Sequence, residues 1–151
     1  MARHLDRHNK IVKLIVSWIK PKLDSASTLY CDLAIVGTRH ISDLFTGLRP
    51  DLAIVNSSRI DVCELTVCHE TNLIASRNYK INKYANISSA KSSLVQTLPV
   101  KVSTIEVSTL GFVVVDPTFL KDCKLSKFDD ALLSDITKAA VLSSHDIYSK
   151  R

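Results

Sequence analysis

Two carboxylates and a lysine are spaced along this chain in a way that could hold a metal ion beside a phosphodiester. Asp51 follows Pro50, Glu64 lies in an apolar run further on, and Lys80 comes after that run. Carboxylate oxygens are the ligands that a hard cation such as Mg²⁺ takes in proteins. A nearby lysine can orient the attacking water or neutralise charge that develops on a phosphate. These residue types suggest metal-dependent hydrolysis of a phosphodiester.

A β-hairpin would bring the two carboxylates together. Residues 52–55 and 60–67 are rich in β-branched and apolar side chains, and residues 56–59 between them are turn-forming. A hairpin centred on this turn sets Asp51 opposite Glu64, with β-carbons about 5 Å apart, where like charges are destabilising. A cation between them would compensate. The alternative is a pair of surface acids in water, and a shift of register by one residue would separate them.

The segment 71–87 should form a helix that carries the lysine. Its apolar residues recur at helical intervals, and basic residues stand between them. Those apolar residues are Leu73, Ile74, Ile81, Tyr84 and Ile87. On a helix Lys80 and Tyr84 lie one turn apart on the same face. If this helix packs back on the hairpin, Lys80 can reach the carboxylates; a solvated lysine face is the alternative.

Several runs in the sequence together resemble a known family. They are Arg49-Pro50-Asp51, Glu64-Leu65-Thr66-Val67-Cys68-His69-Glu70 and Lys80-Ile81-Asn82-Lys83-Tyr84. They look like the restriction-like endonuclease domain of non-LTR retrotransposons, part of the PD-(D/E)XK nuclease superfamily. Ile105-Glu106-Val107 with Gly111-Phe112 resembles the strand after the helix, and Arg7-His8-Asn9 resembles the start of the preceding helix. The resemblance covers most of the chain and weakens after Val115.

The resemblance implies a role for each matching residue. Asp51 and Glu64 would bind Mg²⁺ or Mn²⁺, and Lys80 would be the catalytic lysine, with Lys83 as the alternative and Tyr84 as its companion. Thr66 stands where most superfamily members have their lysine, a departure that is expected in this branch. The implied reaction is hydrolysis of a DNA phosphodiester, which in the retrotransposons nicks target DNA to prime reverse transcription.

The implied partners are DNA and, in a full-length protein, a reverse transcriptase and the element RNA. The sequence has neither the reverse transcriptase nor the Cys/His zinc knuckle that usually precede such a domain. We therefore expect an excised domain, a truncated element or a host-adopted derivative. A catalytically inactive nucleic-acid-binding module, or a remnant of a retroelement, is the rival function.

Positive charge is concentrated at the N-terminus. Residues 1–22 hold six basic side chains and one acidic one, so they carry the whole net charge of +5. The apolar residues of this segment predict an amphipathic helix with a basic outer face. They are Leu5, Val12, Ile15, Val16 and Ile19. A basic face could bind phosphates; a solvated surface and a membrane-surface helix are the alternatives.

The residues expected to contact nucleic acid are basic and lie on three segments. They are Arg3, Arg7, Lys10, Lys13, Arg49 and Arg77. No apolar run is long enough for a secretory peptide or a membrane span. The four cysteines include no Cys-x-x-Cys pair, which favours a reduced intracellular location, nuclear in a eukaryote, without a membrane.

The order of predicted elements is helix, three strands, helix, strand, helix. This order predicts an α/β fold with a mixed sheet flanked by helices, and the resemblance implies a restriction-endonuclease-like core. We expect one domain, 1–151, with its core in about 1–115 and a C-terminal helical extension at about 120–149.

Three further segments complete this prediction. Residues 32–36 repeat residues 51–55 and should form a neighbouring strand, which leaves Asp32 near the site. Residues 100–115 predict a long strand or a bent pair with a bulge at Gly111. Ser126 with Asp129 should start a capped helix. Its inward residues would be Phe128, Leu132, Ile136 and Ala139.

Overall fold

The chain forms a mixed six-stranded sheet with helices on both faces. The computed structural model describes residues 2–149, with the side chains of residues 5–93 and 95–142. The strands are β1 (Thr28–Cys31), β2 (Arg39–His40), β3 (Leu52–Val55), β4 (Ile60–Cys68), β5 (Val100–Ser108) and β6 (Val113–Val115). The helices are α1 (Ala2–Ile19), α2 (Leu73–Lys83), α3 (Pro117–Asp122) and α4 (Asp130–Ser149). The strand order is β2-β1-β3-β4-β5-β6.

The hairpin of β3 and β4 forms in the predicted register. Leu52 pairs with Cys63 and Val55 with Ile60 in an antiparallel ladder. Asn56 fixes the turn, because its side-chain oxygen accepts the backbone N–H groups of Ser58 and Arg59 at 2.9 and 3.0 Å. The strand β1 runs antiparallel to β3. The strand β5 runs parallel to β4, and α2 connects the two.

The apolar stripe of α1 packs into the core as predicted, with two exceptions. Val12, Ile15, Val16 and Ile19 are all buried. Leu5 was expected in the core, but it is 60% exposed because it lines an open cleft. Arg7 was expected on the basic outer face, but it is buried. It lies one turn before the fully buried Ile11 and so belongs to the packed side of the helix.

The helix α2 is shorter than predicted, and fewer of its residues face the sheet than the sequence pattern indicates. It spans Leu73–Lys83, and a 3-10 turn follows at Ile87–Ala90. Tyr84 and Ile87 are buried as expected. Ile74 and Ile81 were expected to face inward, but they are 77% and 40% exposed. They are two turns apart on one flank of the helix, turned away from the face that carries Lys80.

Residues 32–36 form a loop, so the prediction of a strand at this first copy of the repeated segment is wrong. The strand β1 ends at Cys31, before the repeated segment begins. A turn follows, closed by the Thr38 N–H to the Ile35 carbonyl at 3.1 Å, and Gly37 adopts a φ of +83° that favours glycine. Lys20, directly after α1, holds this loop in place, since its ammonium donates to the Val36 carbonyl at 2.6 Å.

The C-terminal region forms the predicted bent strand pair and helix, but Gly111 lies in a turn and not in a bulge, and the helix begins three residues later than a cap at Ser126 predicts. The strands β5 and β6 pair in antiparallel fashion, and Gly111 lies in the turn between them with a φ of +94°. Asp129 caps α4, because its Oδ1 accepts the Leu132 N–H at 2.8 Å. The four predicted inward residues, Phe128, Leu132, Ile136 and Ala139, are buried. The helix α4 packs on α1.

No helix among residues 2–149 is both long enough and apolar enough to cross a membrane. All four cysteines are free, and Cys31 and Cys63 are buried in the core.

Candidate functional site

A cleft of about 310 Å³ opens where α1, the loop before β3 and the end of α2 meet. Its walls bring together most of the residues that the sequence singled out for chemistry. The lining residues are Leu5, His8, Asn9, Val12, Asp32, Leu33, Arg49, Asp51, Glu64, Lys80, Lys83 and Tyr84. The predicted carboxylates and lysine therefore share one solvent-accessible cavity.

Asp51 is held rigidly at the base of the cleft, one residue before β3. Its Oδ2 accepts the Leu65 N–H from the neighbouring strand at 2.7 Å. Its Oδ1 lies 3.2 Å from Nε2 of His8 on α1. Its own N–H donates to Oε1 of Glu64 at 2.9 Å. The antiparallel register that places Asp51 opposite Glu64 thus links the two acids directly.

Glu64 lies in the middle of β4 and receives Lys80 from α2. Its Oε2 accepts the Lys80 ammonium at 2.8 Å. The side chain of Glu64 is only 3% exposed, whereas that of Lys80 is 22% exposed and keeps access to solvent. The connection β4-α2-β5 runs α2 back along β4, which carries the C-terminal turns of α2 towards the hairpin. Lys80 therefore reaches the carboxylate pair, as the helix prediction required.

The two carboxyl groups differ in their pKa values. Burial and the negative charge of Asp51 raise the pKa of Glu64 to about 7, and the hydrogen bond and charge of Lys80 only partly oppose this. Burial also disfavours the charged form of Asp51, but hydrogen bonds from His8, Glu64 and Leu65 and the charge of His8 hold its pKa below the usual value. Negative charge is therefore concentrated on Asp51, and Glu64 is incompletely compensated.

The carboxylate pair fits a hard divalent cation in its chemistry. Within residues 2–149 there is no group of three or more His, Cys, Asp and Glu side chains arranged as a metal centre. Asp51 and Glu64 supply two adjacent carboxylates, and Mg²⁺ is commonly bound by one or two carboxylates with substrate oxygens and water completing its shell. Burial and the negative charge of Asp51 raise the pKa of Glu64, and a bound cation would favour the charged form of this carboxyl group. These two residues could hold Mg²⁺ or Mn²⁺.

Lys83 and Tyr84 lie at the same end of α2 but differ in exposure. Lys83 is exposed at the cleft wall, with its Nζ 5.3 Å from the centroid of the Tyr84 ring. Tyr84 is 2% exposed. Burial, the charges of Glu64 and Asp51, and a hydrogen bond to Glu64 raise the pKa of Tyr84 far above its usual value. Tyr84 therefore stays protonated, and its buried hydroxyl can hydrogen-bond to Glu64.

The basic residues proposed for nucleic acid occupy different positions. Lys10 and Lys13 are exposed on α1, and Arg77 is exposed on α2. Arg49 lines the cleft with a 62% exposed side chain and donates from Nε to Oδ1 of Asp32 at 2.8 Å. The buried Arg7 cannot serve on an outer face. The side chain of Arg3 lies outside the described residues.

His8 is the site residue that the sequence analysis did not select. Burial lowers its pKa, but the hydrogen bond and charge of Asp51 outweigh that effect and raise it to about 8. Its position one turn before Val12 on the packed side of α1 was the available indication. Asp32 lies beside the site as expected, since its N–H donates to the Asp51 carbonyl at 3.0 Å.

The fold and the site together define a mixed α/β protein with a carboxylate pair and a lysine in an open cleft. Comparison of the sequence with protein-family models and with curated proteins found no match in either set.

Proposed function

We propose that this protein is a metal-dependent endonuclease that hydrolyses DNA phosphodiester bonds. The observation that carries the proposal is the contact of Lys80 with Glu64 at 2.8 Å, beside Asp51 in one open cleft. Two carboxylates and a cationic side chain at a solvent-accessible site suit the stabilisation of charge on a phosphate. The retrotransposon endonuclease domain that the sequence resembles would use these same residues.

The order of elements supports a restriction-endonuclease-like core. A first helix, three antiparallel strands, a connecting helix and a strand parallel to the third follow one another as α1, β1, β3, β4, α2 and β5. The short β2 and β6 extend the two edges of this sheet. Asp51 and Glu64 lie on its central hairpin, where the ladder limits their movement.

Each residue at the site has a separate task in this proposal. Asp51 and Glu64 would hold Mg²⁺ or Mn²⁺, which when bound polarises the scissile phosphate and lowers the pKa of water. The Leu65 N–H and the His8 ring fix the orientation of the Asp51 carboxylate. The Lys80 ammonium can turn from Glu64 to a phosphate oxygen or to the attacking water, because its side chain is partly exposed.

An inactive nucleic-acid-binding module is the second candidate function. Each oxygen of the Asp51 and Glu64 side chains has a protein partner: the His8 ring, the Leu65 N–H, the Asp51 N–H and Lys80. Such a pair could persist as a structural feature without a bound ion. The fold and the exposed lysines of α1 would then serve binding alone.

Nicking of supercoiled plasmid DNA by the purified protein distinguishes the two functions. If the protein is the proposed enzyme, it should nick the plasmid with Mg²⁺ or Mn²⁺, and EDTA should abolish the nicking. Asp51→Ala, Glu64→Ala and Lys80→Ala should each lower the nicking rate at least about 100-fold, because each removes a group that would stabilise charge in the transition state. Asp43→Ala, an exposed aspartate outside the cleft, is the matched control and should nick like the parent. Folded parent protein that nicks with neither metal would rule out the enzyme in favour of the module.

A further inference from the structure

A second groove continues the cleft along α1. It lies between the C-terminal half of α1 and the loop after β1, with a volume of about 680 Å³. Its lining residues are Lys13, Ser17, Lys20, Pro21, Ala34, Ile35 and Val36. Neither the carboxylates nor the lysine of the candidate active site line this groove. The groove is therefore a surface separate from the candidate active site.

We infer that this groove binds the sugar-phosphate backbone of double-stranded DNA to one side of the bond that is cut. The inference rests on the proposed function for its substrate and adds the surface that holds it. Charge favours this occupant, because residues 1–22 carry the whole net charge of the chain. No described carboxylate forms an ion pair with Lys13 or Lys20. The charge of Lys13 is therefore available to phosphates, and the Lys20 ammonium, although it donates to the Val36 carbonyl at 2.6 Å, keeps a positive charge at the groove.

The groove and the cleft form one path. His8 and Val12 line the cleft on α1, and Lys13 lines the groove next to them. On the facing loop, Leu33 lines the cleft and Ala34 lines the groove. A strand of DNA that leaves the carboxylates along α1 therefore passes Lys13 and then Lys20.

The spacing of the lysines suits a duplex. Lys13 lies on α1, and Lys20 begins the 3-10 turn that directly follows this helix. Their separation of seven residues corresponds to about 10 Å along the helix axis. From His8 to Lys20 the path measures about 18 Å by the same rise, which is about five base pairs at roughly 3.4 Å each. The groove should thus hold the duplex over about five base pairs beside the cut.

The groove lacks the features that would favour a single strand or a membrane surface. None of its lining residues is aromatic, although stacking on aromatic rings is the usual way to hold single strands. A membrane-surface helix must expose an apolar face, whereas the apolar residues Ile11, Ile15 and Ile19 of α1 are fully buried. Lys13, Ser17 and Lys20 form the polar side of the groove, which would face the phosphates, and Ala34, Ile35 and Val36 form its apolar side, which would contact the sugars.

Salt dependence of binding tests the inference. A labelled 20-base-pair duplex is titrated with the parent protein and with the double variant Lys13→Gln, Lys20→Gln in EDTA, where cleavage cannot interfere. Glutamine at position 20 keeps a donor for the Val36 carbonyl, and circular dichroism verifies the fold. The slope of log K against log salt concentration should fall by about 1.8, because each lost phosphate contact removes about 0.9. The control, Lys121→Gln with Lys138→Gln, replaces exposed lysines outside the groove and should keep the parent slope.

The outcomes separate this inference from the proposed function. Three results would overturn the groove assignment. The salt slope could be unchanged in the groove variant, it could fall equally in the control, or a 20-nucleotide single strand could bind equally well with the same dependence on the two lysines. Plasmid nicking by the parent could survive each of these results. Conversely, the parent protein could fail to nick while the groove variant shows the expected fall in the salt slope. The groove would then remain a duplex-binding surface, and only the catalytic proposal would be wrong.

Discussion

Lys80 is brought to Glu64 by the register of one hairpin and by the packing of α2 on that hairpin. The short turn between β3 and β4 fixes the register that places Glu64 beside Asp51. The spacing of Lys80 and Tyr84 puts both on the inner face of α2. The 2.8 Å contact between Lys80 and Glu64 follows once α2 packs back on the hairpin. Lys83, one turn away on an exposed flank, makes no such contact with a described carboxylate.

Substitution of the two lysines should separate their roles. Lys80→Met should lower plasmid nicking by about 100-fold to 1000-fold, since the proposed mechanism uses the charge of Lys80 to stabilise the transition state. Lys83→Met is the matched control on the same helix and should lower nicking by less than about 10-fold, because an exposed lysine would contribute mainly to DNA binding. Rates are compared at saturating Mg²⁺ and low salt. A larger loss in Lys83→Met than in Lys80→Met would reverse the assignment.

The sequence predicts the carboxylate pair, which depends on the local geometry of a hairpin. It misses the residues whose positions depend on how α1 packs on the sheet. Asp51 and Glu64 are found because the hairpin register determines their neighbours, and Lys80 is found because the helical repeat and the family resemblance both select it. His8 and Arg7 are misjudged because only the packing of α1 on the sheet decides which side faces inward. A histidine or an arginine on an amphipathic helix has no preferred face until the core around Ile11 and Ile15 is formed.

At the scale of elements, an ion-pair network joins two strands to α3. Arg59 donates from Nη2 to Oδ1 of Asp61 at 2.7 Å and to Oδ2 of Asp122 at 2.8 Å. Lys101 on β5 donates to the same oxygen of Asp122 at 2.7 Å. Asp61 is buried on β4 three residues before Glu64. The network therefore anchors α3 to the first half of the strand that carries the site.

This network predicts a dependence of stability on pH. Hydrogen bonds from Lys101 and Arg59 hold the pKa of Asp122 below its usual value. A carboxyl with a lowered folded-state pKa stabilises the protein above its unfolded pKa, and the contribution is lost as the pH falls through the folded value. Asp122→Asn should thus be less stable than the parent at pH 7, and the difference should shrink towards pH 3.

Urea unfolding of both proteins at pH 7, 5 and 3 measures this difference. Asp135→Asn is the matched control, because Asp135 is an exposed residue of α4 outside the network. Its stability relative to the parent should vary little with pH. A difference between Asp122→Asn and the parent that stays constant from pH 7 to pH 3 would show that the ion pairs do not stabilise the fold.

Errors in predicting the elements also have a physical origin. Residues 32–36 and 51–55 have the same composition, but only the second copy has a hairpin partner that follows it directly. The first copy reaches a glycine with positive φ and turns away, which leaves Val36 89% exposed. Strand propensity describes how a residue fits a sheet surface, so identical segments diverge when only one of them is given such a surface.

Across the whole molecule, the sheet separates two apolar clusters, and the carboxylate pair lies where the sheet meets the cleft. Leu52, Cys63 and Leu65 face the cluster with α1 and α4. Ala53 and Val62 face the other cluster together with Tyr84. Glu64 continues this second face and Asp51 precedes it, so the hairpin of β3 and β4 must form to bring the two acids together. The unfolded chain keeps them thirteen residues apart and has no equivalent cation site.

A metal ion that binds this pair must therefore stabilise the folded protein. Binding to the native state alone adds RT ln(1 + [M]/Kd) to the free energy of unfolding, about 1.4 kcal/mol at a metal concentration ten times Kd. For a chain of this length such a change raises Tm by roughly 3–5 °C. Mg²⁺ and Mn²⁺ should produce this rise in the parent protein, because a cation would favour the charged form of Glu64, whose pKa is raised to about 7 by burial and by the charge of Asp51.

Thermal unfolding of the parent, Asp51→Asn and Glu64→Gln, each with EDTA or with divalent metal at matched ionic strength, makes this measurement. The rise should be confined to the parent, because each variant removes one of the two carboxylates, whereas screening of surface charge by salt would raise Tm in all three proteins alike. The readout does not depend on catalysis, so an inactive copy with an intact carboxylate pair would still respond. Equal shifts in parent and variants would remove Asp51 and Glu64 as metal ligands and with them the chemical basis of the proposed hydrolysis.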